Sequence, residues 1–168
     1  MKPNEIRTVY EYSYWAFEKV WDCVMQLSDD QFVQELGYSR GSIRHQVVHM
    51  MSATQRWIIR LKQEPMQPHL AFKDFNTRVA AKSKWDELRT EAMAYVNSLS
   101  EADLDAVIPW ELPARDMAAE NPRWEILLHA TNHATDHRAQ ILAMLNQHFG
   151  INTPEQDMLF YLLERNSG

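Results

Sequence analysis

Apolar side chains recur every three or four residues through four long stretches of this chain, the spacing that puts them on one face of an α-helix. From Asn4 to Leu27 the stripe is Ile6, Val9, Tyr10, Phe17, Val20, Trp21, Val24 and Leu27, interrupted by Ser13 with Tyr10 and Tyr14 nearby. Those three hydroxyls read as ordinary packing positions, with a role at a central site as the alternative. Ser28-Asp29-Asp30 ends the helix, and Gly37 with Gly41 marks a connection. Ser42 is a good N-cap for a second helix through Ile43, Val47, Met50, Met51, Thr54, Trp57, Ile58 and Leu61, closed by Pro65 and Pro68. The methionines read as core filler.

A third helix is predicted from Thr77 to Leu99, with Ala81, Trp85, Leu88, Ala92, Tyr95, Val96 and Leu99 on one face. Residues Ser100 to Glu120, broken by Pro109 and Pro113, predict an ordered loop with room for a short hairpin. Asn121 is the expected cap of the fourth long helix, Pro122 its first residue and Gly150 its stop, with Ile126, Ala130, Ala134, Ile141 and Met144 facing inward. Thr153-Pro154-Glu155-Gln156 has the form of a capping box opening a last short helix. Its Met158–Leu163 run is too apolar for water and is expected to pack on the bundle or on another subunit. The pattern predicts an all-α fold: an antiparallel four-helix bundle with a short additional C-terminal helix, one domain over residues 1–168.

Charge and composition narrow the function classes. Seventeen Lys and Arg against 23 Asp and Glu give a net charge of −6, with no basic stripe, so no nucleic-acid partner is expected. The single cysteine, Cys23, forms no internal disulfide and reads as a small packing residue in a reducing compartment. The first residues lack a signal-peptide pattern, and no stretch approaches the ~20 apolar residues of a membrane span. A soluble cytoplasmic protein with no membrane partner is expected.

The densest candidate chemistry lies in the fourth long helix. His133 and His137 are one turn apart on its inward face, roughly 5–6 Å between Cβ atoms, close enough to share one ion. They read either as half of a metal site or as core histidines hydrogen-bonded to polar partners. His129 extends the row, but it stands roughly 12 Å along the axis from His137 and cannot join the same ion. A second HxxxH, His45 and His49, falls on the flank of the second stripe, and periodicity alone predicts both exposed. His69 lies in a connection with no evident partner, and His148 near a helix end is expected to be exposed. Asp136 projects about 100° from His137, so no general base is apparent. Arg138 is expected on the side of its helix as a surface or intersubunit ion-pair partner; Gln140 is either inside the bundle or on a solvated flank.

Ser42-Ile43-Arg44 with His49 and Trp57, then Trp124–His129, Asn132-His133, His137-Arg138-Ala139-Gln140 and Asn152–Asp157 together resemble the DinB family of small metal-binding helical bundles, over nearly the whole chain. The resemblance implies a four-helix bundle, usually a homodimer, holding one divalent metal on three histidines, one from the second long helix and two from the fourth. Carried onto this chain those ligands are His49, His133 and His137, which overrides the flank reading of His49. Ala139 stands where the family has glycine, which bears on close packing more than on ligation. Three neutral imidazoles leave open positions on the ion, as in catalytic sites, and suit nickel, zinc, iron or copper. The family resemblance supports a metal-dependent thiol S-transferase acting on small electrophiles with a low-molecular-weight thiol. The alternatives are a metal-dependent hydrolase and a non-catalytic metal- or ligand-binding stress-response protein. Asp136, Glu125 and the tyrosines of the first helix are the candidates for orienting the ligating imidazoles.

Overall fold

A computed structural model describes residues 1–167. The four long helices are α1 (Pro3–Val24), α3 (Ile43–Leu61), α4 (Arg78–Ser98) and α6 (Arg123–Phe149). Three short helices, α2 (Asp29–Val33), α5 (Glu101–Asp105) and α7 (Met158–Asn166), accompany them, with a two-stranded antiparallel sheet of β1 (Val107–Leu112) and β2 (Met117–Pro122). The expectation of a strictly all-α chain is therefore corrected: the fold is mostly helical, with one β-hairpin. No helix of the described residues is long and apolar enough to cross a membrane.

Local signals account for most element boundaries. The Ser42 hydroxyl accepts from the His45 N–H at 3.1 Å and starts α3, and Thr77 does the same for α4 through Ala80. Gly150 ends α6 in the left-handed conformation, φ 66°. Two predicted caps do not form. Asn121 and Pro122 belong to β2, paired with Ile108 and Val107, so α6 begins at Arg123. Gln156 does not close a capping box, because its side chain donates to the Ala16 carbonyl (2.8 Å) while its own carbonyl accepts from the Tyr12 hydroxyl (2.7 Å). Both bonds tie the segment to α1 and delay α7 to Met158. The first helix ends at Val24, short of Leu27, and Ser28 caps α2 instead.

Helix directions depart from a plain antiparallel bundle. Arg7 reaches the carbonyls of Asn97 and Leu99, while Arg89 reaches Glu18, so α1 and α4 are antiparallel. The ring contacts of His49 with His137 and of Trp57 with His129 make α3 and α6 antiparallel. By contrast Arg44 meets Asn76 and Leu61 meets Tyr95, so α3 and α4 run the same way. Tyr10 with Leu127 and Cys23 with Asn152 likewise make α1 and α6 parallel. Each long helix therefore has one parallel and one antiparallel neighbour. The parallel pair α3/α4 requires the chain to travel back the full length of the bundle, and residues 62–77 do so. Gln67 lies beside Arg56, Leu70 N–H donates to Ser52, and Asn76 accepts from Arg44, in descending register along α3.

The core runs between the long helices, with Phe17, Trp21, Phe32, Met50, Met51, Leu61 and Leu127 all fully buried. Phe17 and Trp85 stack at 4.1 Å between ring centroids, fixing α1 on α4. Cys23 is buried in this core, and both methionines fill it, as their positions on the stripe predict. The hairpin covers one end of the α3/α6 pair: the Arg60 Nε–H donates to the Glu111 carbonyl at 3.1 Å, and Trp57 meets Trp110 edge-on at 6.0 Å.

Candidate metal centre

Helix α3 supplies His49 and α6 supplies His133 and His137, and each offers a ring nitrogen lying within 4.8 Å of the others. His133 and His137 are one turn apart, and their Nε2 atoms face each other at 3.2 Å. Antiparallel packing of α3 on α6 brings the third imidazole opposite them, its ring centroid 4.7 Å from that of His137 and 5.5 Å from that of His133.

The protonation of this cluster follows from its neighbours. Gln46, fully buried one turn before His49, places its Oε1 2.8 Å from His137 Nδ1. Its Nε2 donates to Ser39 Oγ and to Gln140 Oε1, both at 2.8 Å. With both amide protons spent, Oε1 can only accept, so His137 carries its proton on Nδ1 and presents a lone pair at Nε2. That lone pair points at His133. His49 Nε2 is buried and has no hydrogen-bond partner. A buried nitrogen without a partner is costly unless something fills the gap beside it. A divalent ion with nitrogen preference fits the donor set.

Charge favours the same conclusion. Burial, then the Arg40 guanidinium and then the other imidazoles hold His49 down to about 3. His133 is held to about 4 by burial and the neighbouring histidines, and His137 is lowered by burial and Arg40. All three are neutral near pH 7, the protonation state that ligates metal.

His49 is half-buried rather than exposed. The flank of the α3 stripe faces a cleft between α3, α6 and the hairpin, a surface that helical periodicity alone does not reveal. The other histidines stay outside the cluster. His129 packs edge-on against Trp57 at 5.0 Å, His45 is held by the Arg40 carbonyl at 2.9 Å and by Phe72, and His148 is exposed. His69, in the crossover segment, lines the same cleft as His49.

Several expected roles are corrected. Arg138 is only 1% exposed: it lies between α6 and α1, donating to Ser13 Oγ at 3.0 Å and to Thr135 Oγ1 at 3.0 Å. Ser13, the polar break in the α1 stripe, is thus its acceptor. Of the proposed orienting groups, Asp136 is exposed, Tyr10 donates to the Leu127 carbonyl, and Glu125 accepts from Asn121. The orienting residue is Gln46, whose signal in the sequence was an amide one turn after Ile43 and one turn before Met50 of the apolar stripe. Gln140, open in the sequence between the bundle interior and a solvated flank, is half-buried at the edge and accepts from both exposed Ser39 and buried Gln46. Ala139 is exposed, so a methyl group there meets no packing constraint.

Beside the histidines opens a cavity of about 820 Å³, lined by His49 and His133 at one end and by Trp57, Trp110, Leu112 and Met117 farther along. The molecule is thus a helical bundle with a cluster of inward imidazoles at the edge of a ligand-sized cavity. A model of the DinB family matches residues 1–166, and the chain belongs to that family. Its structure is similar to that of YfiT from Bacillus subtilis, at 19% identity over 88% of this chain and 86% of that one, with a TM-score of 0.56. YfiT is described as a probable metal-dependent hydrolase with an unusual four-helix bundle topology. At that identity the likeness speaks for the fold. No curated protein matches the chain significantly.

Proposed function

We propose that this protein binds one divalent metal through His49, His133 and His137 and uses it to activate a nucleophile against a substrate held in the adjoining cavity. The observation that carries this reading is the set of three neutral ring nitrogens within 4.8 Å of one another, one of them buried without a partner. A bound ion with only three protein ligands would supply Lewis acidity, lowering the pKa of a nucleophile at its open position. The protein's own contribution is positional. Gln46 fixes the His137 tautomer, the crossover and hairpin wall off the cavity, and Trp57 and Trp110 offer it aromatic surface.

For the nucleophile we favour the thiol of a small molecule, transferred to an electrophilic carbon with loss of its leaving group. A thiol has a pKa near ~8.5 and needs little more than charge stabilisation to ionise, whereas water activation gains from a general base. The cavity's one carboxylate, Glu125, is engaged by Asn121 and stands eight residues, roughly 12 Å, along α6 from His133. Hydrolysis of an ester or amide is the second reading, favoured by the structural likeness to YfiT. We further propose that the chain works as a homodimer. In support, α7 packs Tyr161 on Tyr12 and Trp15 of α1 and leaves Leu159 and Leu163 exposed.

Metal content tests the first step. Protein purified without added ions should carry close to one equivalent, and His133→Ala should carry almost none. Consumption of an electrophile by a panel of small thiols, and of ester substrates in parallel, then separates the two reactions. Metal-free protein that stays metal-free on titration with zinc and nickel overturns the reading.

A further inference from the structure

The far end of the cavity holds an unpaired buried charge. Arg60 is 9% exposed and lines the cavity, yet among the described residues it pairs with no carboxylate. Its Nε–H is spent on the Glu111 carbonyl, and its guanidinium lies over Trp57, 5.0 Å from the ring centroid. Its two terminal nitrogens have no protein acceptor among the described residues and open onto the cavity, where a carboxylate or sulfonate can meet their planar fork. The surroundings add positive charge: Arg56 and Arg115 line the same walls, against the single carboxylate Glu125, already accepting from Asn121 at 2.8 Å. Three arginines and one engaged carboxylate thus face a single cavity in a chain of net charge −6.

Position makes the charge useful. Eleven residues separate His49 from Arg60 on α3, about three helical turns, so both fall on the same face. The two ends of the cavity are thus roughly 16 Å apart along the axis. Arg60 reaches back over part of that distance, and Trp110, Leu112 and Met117 supply an apolar wall beside it.

We propose that the cavity binds a small organic anion with an apolar, preferably aromatic, body: a carboxylate or sulfonate on Arg60, the body against the hairpin wall. Its reactive end then faces the histidine cluster, an orientation that rests on the metal reading above. The pairing with Arg60 does not rest on it. Formate and acetate are too short to use both ends.

The test compares two fluorescent probes that share one aromatic body, 8-anilinonaphthalene-1-sulfonate and the uncharged N-phenyl-1-naphthylamine. The full chain is used as purified, after chelation, and as the His133→Ala variant. The sulfonate should bind at least tenfold tighter than the neutral probe in all three. Arg60→Met, which keeps a side chain over Trp57, should lose that preference through the sulfonate alone. If the variant does not fold, displacement from the wild-type chain decides: 4-phenylbutyrate should displace the sulfonate at least tenfold better than 4-phenylbutyramide. Equal binding of the two probes by the wild-type chain overturns the proposal. So does a folded Arg60→Met protein that keeps the preference, which would make Arg60 a clamp for the hairpin only. Loss of metal binding with anion preference intact would overturn the metal reading and leave this site standing.

Discussion

Gln46 decides which nitrogen His137 offers, so its replacement separates orientation from ligation. Gln46→Met should weaken metal binding by about 10–100-fold, measured by competition with a chelator of known affinity. Gln46→Glu keeps the acceptor and should retain most of the affinity. Acid should act on the metal-free chain through His49 and His133. Their folded values of about 3 and about 4 lie below the ordinary 6.5, so the unfolded chain takes up protons first as pH falls. Stability therefore holds above about pH 6.5 and is lost progressively as pH falls below it toward 4 and 3. Melting curves from pH 8 to 4.5 check this, and His49→Gln should flatten the slope. At this scale the pair on α6 was legible because four-residue spacing fixes neighbours. His49 was not legible from periodicity, since a flank position reads as exposed unless the neighbouring element leaves a cleft. Arg138 was misread for the complementary reason: its flank faces α1.

At the scale of elements, α3 depends on its first turn, which also carries the loop of Ser39 and Arg40 against the site. Ser42 is fully buried and its hydroxyl caps that turn. Ser42→Ala should cost about 1 kcal/mol, read from chemical denaturation. Gly41 just before it has φ 93°, and a Cβ there would run into the Glu35 carboxylate. Gly41→Ala should therefore destabilise more than Ser42→Ala and lower metal affinity, because Ser39 would leave Gln46. Helix positions were readable from apolar spacing and caps. The hairpin was only half readable, because Pro109, Pro113 and the small residues Ala118 and Ala119 give a weak strand signal. Its strands are held instead by pairing with each other and by Trp110 and Glu111 against α3.

The whole molecule is organised by the return of residues 62–77 along α3, which makes α3 and α4 parallel. Periodicity carries no information about helix direction. The length of that connection was the available sign, since neighbouring antiparallel helices need only a few residues between them. The exposed Leu159 and Leu163 of α7 lead to an expectation for assembly. Light scattering should give a dimer, and Leu159→Ser with Leu163→Ser should give a monomer that still binds metal. A monomeric wild-type chain would remove the homodimer and leave the site untouched.

The most direct measurement for the metal centre is an anomalous difference map from crystals of zinc- or nickel-loaded protein, collected at the absorption edge of that metal. The expected result is one strong peak at about 2.0–2.1 Å from one nitrogen each of His49, His133 and His137. A map with no peak there, and the three imidazoles hydrogen-bonded only among themselves and to Gln46, would contradict it.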